Sequence, residues 1–152
     1  MEKVWSMLKK FGITKENMIE SALMLYVPHP GVETKERAKK VFEKEMELAL
    51  SDPNILVLIY AGALLEEEGE KRELPLPHEW YFSDLTCMVA DEVLGIAIAQ
   101  YIGGTKGVFE YMRFDRHKPG ILSKLGPFMD DVIGGLIGGV SANMYTRGKR
   151  SG

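Results

Sequence analysis

Apolar positions recur along most of this chain at three- and four-residue spacing, the period of a helix with one buried face. Val4, Met7, Leu8 and Phe11 mark a short first helix that Gly12 stops, and Thr14 caps a second through Met18, Ile19, Ala22, Leu23 and Tyr26. After a turn at PHPG, Thr34 opens a third helix. Ala38, Val41, Phe42, Met46 and Leu50 line one side of it, and Lys and Glu residues form a solvated face on the other. Asp52-Pro53 starts a fourth, because proline at the first helical position loses no hydrogen bond. Its run NILVLIYAGALL is apolar all round, which predicts a central place, and Glu66, Glu67 and Glu68 read as its solvated end, with one carboxylate turned toward the site as the alternative. Residues 70–83, with Pro75, Pro77 and a surface His78, read as a connecting loop. Asp84 caps a fifth helix, Leu85 to Ile102, that Gly103-Gly104 ends, and Pro127 opens a sixth reaching about Tyr145.

No segment alternates cleanly over several residues, so the expected fold is all-α: a compact bundle of about six helices, with a long loop between the last two. The 152 residues form one expected domain, 1–152. Each of the four glycines in Gly134-Gly135 and Gly138-Gly139 weakens the sixth helix by about 0.5–1 kcal/mol relative to alanine. Tight packing against Gly95, Ala97 and Ala99 of the fifth helix is the expected compensation, and it would draw the acidic ends of the two helices together.

Those acids are the anomaly in the pattern. In the helix predicted from Leu85, Glu92 lies on the stripe of Leu85, Met88, Val89, Val93 and Ile96, and Asp91 shares one with Cys87, Met88, Leu94 and Ile98. A buried carboxylate is normally paired, neutralised or bound to metal, so the pattern asks for a cation. Asp91, Glu92, Asp130 and Asp131, with Asp115 entering from the loop, fit Mg2+ or another hard divalent cation, which takes carboxylates and leaves positions for a phosphate. Acids in a first helical turn are also favoured by the helix dipole alone, which applies to Asp130 and Asp131. Between Thr105 and Lys124 the chain turns basic, with Lys106, Arg113, Arg116, Lys118 and Lys124. Arg113, Arg116 and Lys118 are the expected substrate-binding cations, Lys118 foremost because Pro119-Gly120 fixes it in a turn. Tyr101, Phe109, Tyr111 and Phe114 are expected around this loop, either as core residues or as a surface for an aromatic base.

Composition narrows the partners. A net charge of −3 gives no reason to expect nucleic acid. The longest apolar stretches, Ile55 to Leu65 and Val132 to Ala142, each have 11 residues, short of the roughly 20 that span a bilayer. The N-terminus lacks the pattern of a signal peptide. Cys87 is the single cysteine, expected as a buried filler, and a thiolate zinc site is disfavoured. A soluble, cytoplasmic homo-oligomer is the expectation.

The succession DEVLG, FDRHKPGI and DDVIGG resembles the phosphatidylglycerophosphatase A family, whose motifs read Asp-Glu, Asp-x-x-Lys-Pro and Asp-Asp before a small-residue helix. Asp91 and Glu92 match the first, Asp115, Lys118 and Pro119 the second, Asp130 and Asp131 the third. With LMLYVPHPGVET and LLEEEG included, the chain looks most like the soluble archaeal α-ribazole phosphatase branch of the cobalamin pathway. The resemblance implies an all-α fold and Mg2+-dependent hydrolysis of a small phosphomonoester. Asp115, Lys118 and Asp131 are the expected catalytic group, and Asp91, Glu92, Asp115, Asp130 and Asp131 the expected metal ligands. A lipid phosphomonoester, and a noncatalytic helical oligomer held by metal, are the other readings.

Overall fold

In the computed structural model, which describes residues 2–83 and 86–150, the most buried element is the last. Its helices are α1 (Glu2–Lys9), α2 (Lys15–Leu23), α3 (Lys35–Leu50), α4 (Pro53–Glu70), α5 (His78–Phe82), α6 (Ala90–His117) and α7 (Pro127–Arg147), with 3-10 turns at Gly120–Lys124 and Gly148–Arg150. Among the described residues there is no strand, only one isolated bridge between His29 and Val32, and the all-α expectation holds. The starts of α2, α3 and α4 fall where the caps predict: Thr14 and Thr34 accept from Asn17 and Arg37 amides, and Asp52 accepts from Asn54.

The centre is α7, not α4. From Phe128 to Ala142 every α7 residue except Asp130 is buried, and α2, α3, α4 and α6 all pack on it. α4 buries Ile55, Ile59, Gly62 and Ala63 but leaves Val57 64% and Tyr60 52% exposed. An all-round apolar sequence therefore lies at the surface here with one face uncovered.

The four glycines of α7 are offset by close approach, as the small-residue pattern predicts. A Cβ on Gly135 would sit 2.3 Å from the Gly95 carbonyl oxygen, and one on Gly95 would sit 2.6 Å from that of Asp131. Ala99 joins this contact, whereas Ala97, the third expected partner, is exposed.

The loop expected after Gly104 is largely helix. Gly104 does break α6, with φ 65° and ψ −152°, a conformation closed to side-chain-bearing residues, but the chain re-enters the helix and continues to His117. The two arms fold back on each other. A Cβ on Gly107 would lie 2.3 Å from the Ala99 carbonyl, and the Tyr111 ring reaches Gly95. The bend returns residue 115 to the level of residues 91 and 92, which is how one helix serves the site from both ends.

The start of α6 also differs from the expectation. Asp84 and Leu85 lie outside the described residues, Thr86 and Cys87 form a turn, and the helix begins at Ala90 after Val89, which offers no side-chain cap. Asp91 and Glu92 are thus in a first turn, where the dipole favours them, rather than in mid-helix. Cys87 is exposed, not a core filler. The expected 70–83 loop carries α5, with half-buried His78 packed on Phe82.

Candidate active site

The first turn of α6, its last turn with the residue after it, and the first turn of α7 converge on one cavity of about 470 Å³. Asp91, Glu92 and Asp131 each place a carboxylate oxygen within 4.8 Å of the others. Beside them, the Lys118 ammonium bridges Asp130 Oδ2 at 2.9 Å and Asp115 Oδ1 at 3.0 Å. All six groups line the cavity. Arg113 does not: its guanidinium bonds the Glu110 carboxylate and the Leu25 carbonyl. Arg116 and His117 are exposed and outside the lining, and Lys106 and Lys124 line other surface hollows.

Local structure holds these side chains. Lys118 ends α6 in the left-handed region, φ 45° and ψ 55°, unusual for a residue with a side chain. Its amide bonds the Phe114 carbonyl at 2.8 Å. The buried Ser21 hydroxyl of α2 donates to the Asn17 carbonyl and accepts from the Ile121 amide at 2.9 Å, fixing the 118–121 segment. Tyr111, expected near a loop, is instead buried in the second arm of α6 and donates to Asp131 Oδ1 at 2.5 Å.

The least legible member is Glu66. Gly126 at the N-cap of α7 has no side chain, so the first amides of that helix need an acceptor from elsewhere. Glu66, expected in solvent, is 1% exposed and supplies it, accepting from the Met129 amide at 3.0 Å and the Phe128 amide at 3.5 Å. It also accepts from the Tyr81 hydroxyl of α5. The signal that could have found it is the Gly-Pro start of α7, which needs a foreign cap. Glu66→Gln puts an NH2 against one of three donors and is expected to lower the unfolding free energy by roughly 2 kcal/mol. Urea denaturation checks this; an unchanged midpoint would exclude the capping role.

Electrostatically the site is short of cations. Burial raises the Asp131 carboxyl well above the usual range, with the Asp130 charge adding to it and the Tyr111 hydrogen bond offsetting only part. Burial also raises Asp130, against the pull of Lys118. Contact with the Asp91 carboxyl, then burial, pushes Glu92 up to about 7, and burial raises Asp91. Burial lowers the Lys118 ammonium, but Asp130 and Asp115 outweigh it and hold its pKa above the ordinary value. Among the described residues, two buried oxygens, Glu92 Oε2 and Asp130 Oδ1, have no hydrogen-bond partner. Carboxylates at this spacing, unpartnered oxygens and no His or Cys beside them fit a hard divalent cation.

The chain matches the family model described as phosphatidylglycerophosphatase A over residues 23–146, which spans all three acidic motifs. An uncharacterized protein of Methanocaldococcus jannaschii is 36% identical over 117 residues, covering 74% of this chain and 90% of that protein. Among solved structures, the low temperature requirement C protein from Listeria monocytogenes superposes with a TM-score of 0.80 at 25% identity, covering 95% of this chain and 94% of that one. The protein ypjQ from Bacillus subtilis superposes with 0.81 at 19% identity, over 99% and 96% of the two chains, a likeness of fold alone.

Proposed function

We propose, because the chain belongs to the phosphatidylglycerophosphatase A family, that it is a Mg2+-dependent phosphomonoesterase acting on a small phosphorylated molecule. The observation that carries this is the Asp91, Glu92 and Asp131 cluster beside a Lys118 ammonium held by Asp115 and Asp130. The finer reading is α-ribazole 5′-phosphate, or the corresponding cobalamin phosphate, as substrate. Its support is the sequence resemblance together with a cavity of about 470 Å³ that has room for a phosphate, a sugar and one bicyclic ring.

Asp91, Glu92 and Asp131 would hold a hard divalent cation, which when bound would supply Lewis-acid polarisation of the phosphoryl group. Lys118 Nζ offsets charge on the phosphate oxygens, and Asp115 and Asp130 keep it pointed at the cavity. Tyr111 fixes the orientation of Asp131. A water oxygen bonds to phosphorus as the ester P–O bond breaks. One of the carboxylates lining the cavity takes the water proton. The departing alcohol regains a proton from solvent.

The test is kcat/KM for α-ribazole 5′-phosphate and for phosphatidylglycerophosphate, each with Mg2+ and with EDTA. Preference for the first with loss in EDTA is expected. Preference for the lipid would overturn the substrate while keeping the reaction, and no turnover of either would favour the noncatalytic metal-held oligomer.

Self-association in the cytoplasm belongs to the same reading. α4 from Pro53 to Leu65 and α6 from Val93 to Gly104 contain no charged residue. The two helices are joined at Tyr101, whose hydroxyl bonds Asp52 at 2.8 Å and Asn54 at 3.0 Å. Val57, Tyr60, Val93 and Ile96 remain exposed on them, and apolar faces of this kind are interaction surfaces. Among the described residues no single helix is long and apolar enough to cross a bilayer. Light scattering at micromolar concentration is expected to give a multiple of 17.1 kDa; a monomer mass would remove the proposal.

A further inference from the structure

The acids lining the cavity account for a phosphate and its cation, and leave an apolar wall of the same cavity unexplained. That wall comes from α5 and its flanks: Trp80 and Phe82 with Leu74, Leu76 and Met88, none of them charged. Along α5 the middle aromatic faces inward. Tyr81 is 5% exposed, donates to Glu66, presses against Gly69 and stacks on Phe128 at 6.1 Å. Its neighbours stay uncovered, Trp80 at 42% and Phe82 at 64% exposure.

The uncovered Phe82 ring is held in place. Phe82 is gripped edge-on by Tyr81 and by His78, each with ring centres 4.7 Å away. Tyr81 is anchored by the same Glu66 that caps α7, so the aromatic wall and the helix end bearing Asp130 and Asp131 are tied to one carboxylate. An aromatic wall that lines the same small cavity as the acids and Lys118 suits a rigid planar group that stacks on it. A flexible chain would need a longer channel.

We propose that Trp80 and Phe82 form the subsite for the organic body of the phosphomonoester, and that this body is a flat aromatic ring system. The inference rests on the phosphatase reading, and adds the residues that select the leaving group.

Two measurements test it. In the first, α-ribazole 5′-phosphate is compared with ribose 5-phosphate, which keeps the same leaving oxygen and lacks the base. Trp80→Ala and Phe82→Ala are each expected to cut the preference for the first, as a ratio of kcat/KM, by roughly 5- to 150-fold, the usual worth of one base stacked on one aromatic ring. Trp80→Phe should retain most of it, and far-UV circular dichroism confirms the fold. An equal loss on both substrates would overturn the proposal.

The second measurement needs no turnover. Trp5→Phe leaves Trp80 as the one tryptophan. Its fluorescence is followed while α-ribazole, ribose or decanol is added. Saturable quenching by α-ribazole alone supports the subsite. Quenching by decanol without α-ribazole, or by none of the three, would sink it. If no phosphomonoester is turned over but α-ribazole binds, the phosphatase reading fails and the subsite stands.

Discussion

Asp131→Asn is expected to lower kcat by roughly a thousandfold or more while leaving the helical fold intact. Asp131 belongs to the proposed cation cluster and sits at the close-packed crossing of α6 and α7, and removing such a group costs transition-state stabilisation on that scale. The fold survives because asparagine keeps the oxygen that accepts from Tyr111. It also removes one of several buried like charges, so the metal-free variant should melt no lower than wild type. Asp91→Asn is expected to behave likewise. Asp115→Asn should also abolish most activity by releasing Lys118, which it holds from the last turn of α6. Steady-state kinetics with Mg2+ and thermal melts of the same preparations decide this. Full activity in all three variants would contradict the site, as would loss of activity through unfolding.

Chelation of the cation is the second large effect, and its size depends on pH. EDTA is expected to abolish turnover. Stability follows from the raised carboxyls of Asp91, Glu92, Asp130 and Asp131, whose folded-state values all lie above those of the unfolded chain. For an acid shifted upward, the protonated form is the one the folded state prefers. The contribution is therefore complete below about pH 4, the unfolded value, and is lost as pH rises through the folded values, with Glu92 at about 7. The metal-free protein should accordingly melt lower at pH 8 than at pH 5. Mg2+ reverses this where the carboxylates are ionised. At a hundred times its dissociation constant it adds about 2.7 kcal/mol, a rise of roughly 5–10 °C for a chain of this size. The rise should shrink at pH 5, where protons compete. Scanning calorimetry at the two pH values, with Mg2+ and with EDTA, tests it; a Mg2+ effect independent of pH would show that these carboxylates do not bind the ion.

What the sequence by itself determined is local. Helix starts at Thr14, Thr34, Asp52 and Pro127 follow from caps and from proline, which act within a few residues. The acids stood out because a helical period set them among apolar positions, although Val89, Val93 and Ile96 of that stripe are exposed in the fold, and the glycine pairs announced a close crossing because nothing else offsets their cost. Two apolar runs of equal length, in α4 and α7, could not be ranked by this means. Which one is covered depends on what packs over it, and in the fold α7 is enclosed while α4 keeps Val57 and Tyr60 in solvent.

The rest of the site is tertiary. Gly104 reads as a helix end in one dimension. Only the return of the chain onto α7 makes it a hinge that sets Asp115 and Lys118 beside Asp91 and Glu92. Arg113 has the charge of a phosphate ligand but spends it on Glu110 and Leu25, partners brought close by the fold. Glu66 shows the limit most clearly. Among three consecutive glutamates at a helix end the sequence marks none, because selection of Glu66 depends on the amides of α7, more than sixty residues later, arriving without a cap of their own.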